Sequence, residues 1–353
     1  MQIRIQKTEA AVVCVGCTAL MVGAIAFAGR RGGGIRTGLT VCGEMLIPSL
    51  FPMMVLCGFF VRCGAADAVG RLLAPVTRRL FHLPDCAGPV VLTAMIGGYP
   101  IGAQGVRTLL DRGALTRAEA AHMMRFCICA GPGFAVAFAG AGLFGSTVRG
   151  LLFYGAQVTA ALALGIATRG PTPSAGKADA PHEPPAQALT GAVTAAAQSM
   201  LALCAFVLLF AGLRAGLPDL NRLPVLRRAL DLLLEVTGAV QAARAMGQPT
   251  AAAFALGFGG LCVHAQLRAI CPVCPRGFFL WRLLHGAWTA LLFAAGNALL
   301  PASATVLPAS AVPTVYASAG NGPFSAALLG MVAIFLLSLP ENSFFSWKNR
   351  KKA

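Results

Sequence analysis

Gly97-Gly98-Tyr99-Pro100-Ile101-Gly102-Ala103-Gln104 returns 162 residues later as Gly259-Gly260-Leu261-Cys262-Val263-His264-Ala265-Gln266. Each copy sits inside an uncharged apolar run, 86 to 106 and 245 to 267. Runs of this size match the roughly 20 residues a bilayer-spanning helix needs. Glycine pairs loosen a helix, and Pro100 in the first copy removes a backbone N–H and clashes with the preceding turn. Broken backbone at membrane depth persists only against protein or a wet cavity. Matched interruptions in two halves of one chain therefore point to a binding site near mid-membrane, of the kind transporters with internal repeats build.

The rest of the chain fits that solvent. Of 353 residues, 57% are hydrophobic and 11% charged, with a mean hydropathy of +0.73. A soluble domain carries about a quarter charged residues. Uncharged stretches run over 10–29, 45–61, 86–106, 126–148, 150–168, 184–213, 245–267 and 283–340. The first seven hold one span each and the last is long enough for two, which predicts an all-α polytopic membrane protein of about nine spans. The net charge of +16 would suggest nucleic acid in a soluble protein. Here the basic residues are scattered through connecting loops, where they meet anionic headgroups, so membrane lipids are the expected partners and nucleic acid is not. Residues 10–29 are expected to remain as a span, because Arg30-Arg31 stands where a cleavable leader would have small residues. The tail residues Lys348, Arg350, Lys351 and Lys352 follow a loop over 301–322 with no charge, which places the C-terminus in the cytoplasm.

The repeat reaches beyond the glycines. Leu72-Leu73-Ala74-Pro75-Val76-Thr77 resembles Leu232-Leu233-Leu234-Glu235-Val236-Thr237, 160 residues on. Each half reads as a span, a short amphipathic segment and a glycine-interrupted span. The predicted organisation is an N-terminal span (1–36), a first repeat with following spans (37–169), a polar Pro-rich linker (170–189), a second repeat (190–300), and a C-terminal span with a basic tail (301–353). The linker carries Pro171, Pro173, Pro181, Pro184 and Pro185 and too little apolar surface to pack. Between spans, Thr116 and Glu119 form a capping-box pattern that starts a helix over about 116–126. Gly131-Pro132-Gly133 directly after Cys127-Ile128-Cys129-Ala130 predicts a kink or unwinding at the start of the fourth span.

The candidate ligand-binding residues are Gly97, Gly98, Tyr99, Pro100, Gly102, Gln104, Gly259, Gly260, His264 and Gln266. Amide N–H groups freed after each break would point at a polar ligand, with the half-helix dipole favouring negative charge. Tyr99 could stack on a flat ligand while Gln104, Gln266 and His264 bond its edge. Against this stands close packing of small residues between helices, and for His264 a neutral ring satisfied by a neighbouring carbonyl. Glu235, one carboxylate among leucines, is the candidate coupling group, against which stands a place in the headgroup region with Arg228 or Arg244 nearby. Twelve cysteines include two CxxC pairs, Cys14 with Cys17 inside the first predicted span and Cys271 with Cys274, the one such pair outside a span. A structural zinc needs about four ligands, so no metal, cofactor or disulfide framework is expected. No P-loop, HExxH, GxSxG or intramembrane aspartate pair occurs, so enzymatic activity is not expected.

Together with these motifs, Ile47-Pro48-Ser49-Leu50-Phe51-Pro52, Leu115-Thr116-Arg117 and Gly257-Phe258-Gly259-Gly260-Leu261 give a pattern that resembles the YlbJ-like sporulation integral membrane proteins. That family is similar to the spore maturation membrane proteins. It shares the nucleoside-recognition, or Gate, domain also found in concentrative nucleoside transporters and ferrous-iron transport proteins. The resemblance spans roughly residues 40 to 300 and implies two Gate-type repeats with broken or re-entrant helices. It also implies a role in spore cortex formation or maturation, in the mother-cell or forespore membrane. Gly98, Tyr99, Pro100 and Gly102 match its first signature, and Gly259, Gly260, His264 and Gln266 its second. Two functions follow as expectations: a small-molecule transporter or channel-like component for an unidentified polar solute, or a non-transporting assembly factor that recruits other sporulation membrane proteins. Either could act as an oligomer.

Overall fold

The computed structural model describes residues 28–170, 183–216 and 224–299, and among these every regular element is helical. The order is α1 (Ala28–Val41), α2 (Ile47–Arg62), α3 (Ala65–Val76), α4 (Ala87–Gly97), α5 (Tyr99–Asp111), α6 (Arg117–Phe126), α7 (Thr147–Ala167), α8 (Pro185–Gly216), α9 (Pro224–Leu234), α10 (Val236–Ala245), α11 (Pro249–Phe258), α12 (Gly260–Ile270) and α13 (Phe278–Ala298). Three π-helical stretches, Cys42–Leu46, Thr77–Phe81 and Gly133–Leu143, join or extend them.

Among the described residues, four helices are long and apolar enough to cross a membrane: Thr147–Ala167, Pro185–Leu213, Pro249–Ile270 and Phe278–Ala298. A fifth arises if α2 and α3 with its π-helical extension, which meet at 82°, are taken as one bent span. The expected nine is not reached within these residues. The predicted spans at 10–29 and beyond 300 lie almost wholly outside the described residues. The stretches 86–106 and 126–148, however, are not single cylinders: Ala87–Gly97 and Gly133–Leu143 are short apolar helices. Apolar composition reports the surroundings of a segment and not its straightness, and backbone buried inside protein is as apolar as backbone facing lipid. The expected linker is shortened too, since α8 already begins at Pro185, whose fixed φ suits a first helical turn.

Large exposed side chains, Leu56, Leu151, Leu209, Leu280, Trp288 and Leu291, mark the outward faces of α2, α7, α8 and α13 as surfaces for lipid. The interior is built from small residues that let helices approach. A Cβ on Gly102 would drive into the Cys127 carbonyl oxygen, so α5 lies directly against the backbone that follows α6. Gly257 and Gly286 bring α11 and α13 together in the same way. A second cluster, with Met54, Ile101, Met200 and Leu203, ties α2 and α8 to α5.

Outside the long helices, α6 starts where its capping box predicts. The Thr116 N–H donates to Glu119 Oε2 at 2.7 Å and the Glu119 N–H to Thr116 Oγ1 at 3.2 Å. It ends at Phe126, and residues 127–131 run without helix, with Cys127, Ile128, Cys129 and Ala130 buried.

Candidate functional site

Both glycine motifs interrupt their helices. Between α4 and α5, Gly98 takes φ 98° and ψ 176°, a conformation closed to residues with a Cβ. Between α11 and α12, Gly259 and Gly260 both have positive φ, 85° and 76°. Two further irregular points face them. The unwound stretch passes Gly98 so closely that a Cβ there would sit 3.3 Å from the Gly131 nitrogen. A Cβ on Gly260 would sit 3.1 Å from the Glu235 Cα, where α9 gives way to α10. Glu235 makes that break: its backbone is extended, and its carboxylate accepts from the Thr237 and Gly238 N–H groups, 2.8 Å each, capping α10.

Three of these irregular points, Gly98, Gly131 and Glu235, line one cavity of about 390 Å³, and the fourth, Gly259–Gly260, precedes its Cys262 and Val263 wall. Its polar wall is formed by Gly97, Gly98, Tyr99, Ala130, Gly131, Glu235, Thr237 and Gln266, and its apolar wall by residues of α1, α2 and α8 such as Val41, Met53 and Val207. Of the residues singled out in the sequence, Gly97, Gly98, Tyr99, Pro100, Gln266 and Glu235 line this cavity. Gly102, Gln104, Gly259, Gly260 and His264 are not among its walls. Gly102, as above, sets the approach of α5 to Cys127. Gln104 is buried with neither amide atom partnered among the described residues, near Gly58 of α2. His264 packs among Phe258, Phe278 and Phe279, and its Nδ1 lies 2.7 Å from the Gly260 carbonyl, while its Nε2 has no partner among the described residues. Helical phase explains the split: at about 100° per residue, Cys262, Val263 and Gln266 share a face and His264 points away from it.

Behind the cavity lies a support that the sequence reading missed. Arg282 of α13 is fully buried. Its guanidinium donates to the Ile128 carbonyl at 2.6 Å, to the Phe258 carbonyl at 3.3 Å and to the Gly257 carbonyl. It thus serves the last carbonyls of α11, left without helical partners by the break, and one from the unwound stretch. The Tyr99 ring lies 5.9 Å from the guanidinium carbon, and the Tyr99 hydroxyl donates to the Leu256 carbonyl at 2.5 Å. Gln157 of α7 bonds both polar groups of Ala130, accepting from its N–H at 3.0 Å and donating to its carbonyl at 2.8 Å. His285 in turn meets the Gln157 carbonyl at 2.9 Å. A lone arginine inside an otherwise apolar run was the available signal, and it was read as the edge of a span.

The first broken helix and the unwound stretch belong to a recognisable segment. Residues 44–147 match the Gate family, described as nucleoside recognition. The Gate match takes in α2 through the π-helix Gly133–Leu143, and stops short of the second motif. Over 307 residues, 72% of this chain and 75% of the relative, the chain is 27% identical to the sporulation integral membrane protein YlbJ of Bacillus subtilis (strain 168). No solved structure matches the chain. The resemblance drawn from the motifs is thus shown for the Gate segment and for similarity to that sporulation protein. Among the described residues no cluster of three or more His, Cys, Asp or Glu is placed to hold a metal ion.

Proposed function

We propose that the protein is a multi-pass component of the membrane of sporulating cells that binds a polar small molecule, nucleoside-like or similar in size, and passes it across the bilayer as a transporter or channel-like part. On this reading it serves spore cortex formation or maturation, its C-terminus lies in the cytoplasm, and it works without enzymatic activity or cofactor. The observation that carries the reading is the cavity lined by Gly98, Gly131 and Glu235, with the Gly259–Gly260 break lying against Glu235 behind it. Interruptions of regular backbone gathered about one hollow are what a site in the bilayer requires, because only there can loosened backbone keep polar partners. The two halves act as Gate-type repeats, the second lacking Pro100 but keeping the glycine pair.

Within the site, the Tyr99 ring and the Gln266 amide touch the ligand, the glycines shape its bed, and Gln104 and His264 support the helices from behind. Residues 107–125 offer little to the assembly-factor reading. Arg107 pairs with Asp111 at 2.5 Å, Arg112 donates to the Val61 carbonyl at 2.6 Å, and Arg125 lies over the Trp281 ring. The test is uptake of radiolabelled uridine and adenosine, with a panel of cortex precursors and organic ammonium compounds, into proteoliposomes. One of these should accumulate with wild-type protein, and Gln266→Ala should reduce its uptake at least tenfold with folded protein retained. Absence of uptake for every solute, or uptake indifferent to Gln266, rejects the proposal.

A further inference from the structure

Glu235 stands on the wall of two cavities at once. Besides the one described, a neighbouring hollow of about 330 Å³ is lined by Gly34, Thr37 and Gly38 of α1, Phe210 and Ala211 of α8, and Gly238 and Gln241 of α10. The two share Val41, Val207, Glu235 and Thr237. Glu235 thus stands on the wall that the two hollows have in common. Glu235 is also the one ionisable carboxylate or basic group along either wall: no arginine, lysine or histidine is among the lining residues of the two cavities. The nearby buried cation, Arg282, is turned to the Ile128, Gly257 and Phe258 carbonyls behind Tyr99.

We infer, building on the site proposed above, that its ligand carries a positive charge on an apolar or aromatic body, an organic ammonium compound, and that Glu235 is the counter-charge it meets on the wall the two hollows share. Each Glu235 oxygen accepts one backbone N–H, from Thr237 or Gly238, which leaves further lone-pair directions for an ammonium donor. The sequence alone favoured an anionic ligand at freed helix N-termini, and at α10 and α5 the geometry leaves little room for one. The N-terminus of α10 is already filled by Glu235 itself. In the first turn of α5, Pro100 has no N–H and the Ile101 N–H bonds the Gly98 carbonyl at 3.1 Å. A bare metal ion is a poor occupant, since one carboxylate in a hollow with mostly aliphatic walls cannot replace a hydration shell. An ammonium group with an apolar body suits both the charge and the walls, with the Tyr99 and Phe134 rings available to its cation.

Three probes of one skeleton test this: 4-phenylbutylamine, 4-phenylbutanol and 4-phenylbutyrate, bound to the full-length protein in lipid nanodiscs and followed by calorimetry. Wild type should bind the amine at least about tenfold more tightly than the alcohol or the carboxylate. That preference should vanish in Glu235→Gln, which keeps an acceptor for the α10 cap, and survive in Glu235→Asp, which keeps the charge. Monodisperse elution of each variant guards against misfolding. Equal binding of all three probes, an amine preference unchanged in Glu235→Gln, or no binding of the amine each overturn the inference. Uridine or adenosine uptake that depends on Gln266 would, in any of those cases, leave the permease reading standing, whereas loss of both sinks the two together.

Discussion

Replacing Arg282 by leucine should loosen the centre of the protein, and the size of the effect can be worked from its partners. Three buried carbonyls, those of Ile128, Gly257 and Phe258, lose a charged donor. Leaving a buried acceptor unmet costs about 1–3 kcal/mol, so the gross loss is roughly 3–9 kcal/mol across the three. Removing a guanidinium from a site with no carboxylate partner among the described residues returns part of that as relieved desolvation. A net destabilisation of about 3–5 kcal/mol remains, and at about 2–4 °C per kcal/mol for a chain of a few hundred residues it lowers the melting temperature by roughly 6–20 °C. The assay is thermal unfolding of purified protein in one detergent, read by fluorescence of a thiol-reactive dye at the buried cysteines. Arg282→Lys should fall between, because one ammonium cannot reach three diverging carbonyls. A melting temperature for Arg282→Leu within 2 °C of wild type would refute the claim that this side chain satisfies the broken backbone.

Other outcomes follow from the same geometry. Gly102→Val should lower yield and stability by about 1–3 kcal/mol through forced separation of α5 from the Cys127 carbonyl, measured as a lower melting temperature, whereas valine at Gly155, which has open space around its Cα, should be tolerated. His122 lies on α6, outside the candidate spans, and burial followed by the neighbouring Arg125 pushes it down to about 4. The ring therefore stays neutral in the folded protein while the unfolded chain takes up a proton near pH 6.5. Its contribution is present above that pH and is lost as pH falls from about 6.5 to 4, amounting to about 2 kcal/mol at pH 5. The fall in melting temperature between pH 7 and pH 5 should thus be smaller in His122→Gln than in wild type.

The interruptions were readable because glycine and proline act locally. Gly97-Gly98-x-Pro and Gly259-Gly260 sit where backbone must take dihedrals that other residues refuse, and that requirement is written in the residues themselves. Glu235 stood out as one carboxylate among leucines, but that it lies against Gly260 at the second break follows from the fold and not from the spacing of the repeat. Depth in the bundle was less readable. Hydropathy cannot tell a span from a buried irregular stretch, so residues 126–148 counted as one span, and it was Gly131-Pro132-Gly133 that pointed to the unwinding the structure has over 127–131. Side-chain direction was lost for a different reason. His264 and Gln266 are two residues apart, and on a helix that turns them about 200° from each other, so they could not both face one hollow. Arg282 went unnoticed because its partners are main-chain carbonyls from two distant parts of the chain, which leave no pattern in residue types.

Those partners carry a mechanical corollary. Arg282 grips Ile128 in the first half of the chain and Gly257 and Phe258 in the second, and Tyr99 adds a bond from the first half to Leu256 in the second. The halves are riveted at this point, so if one rocks against the other the fulcrum lies there, and travel grows with distance from it.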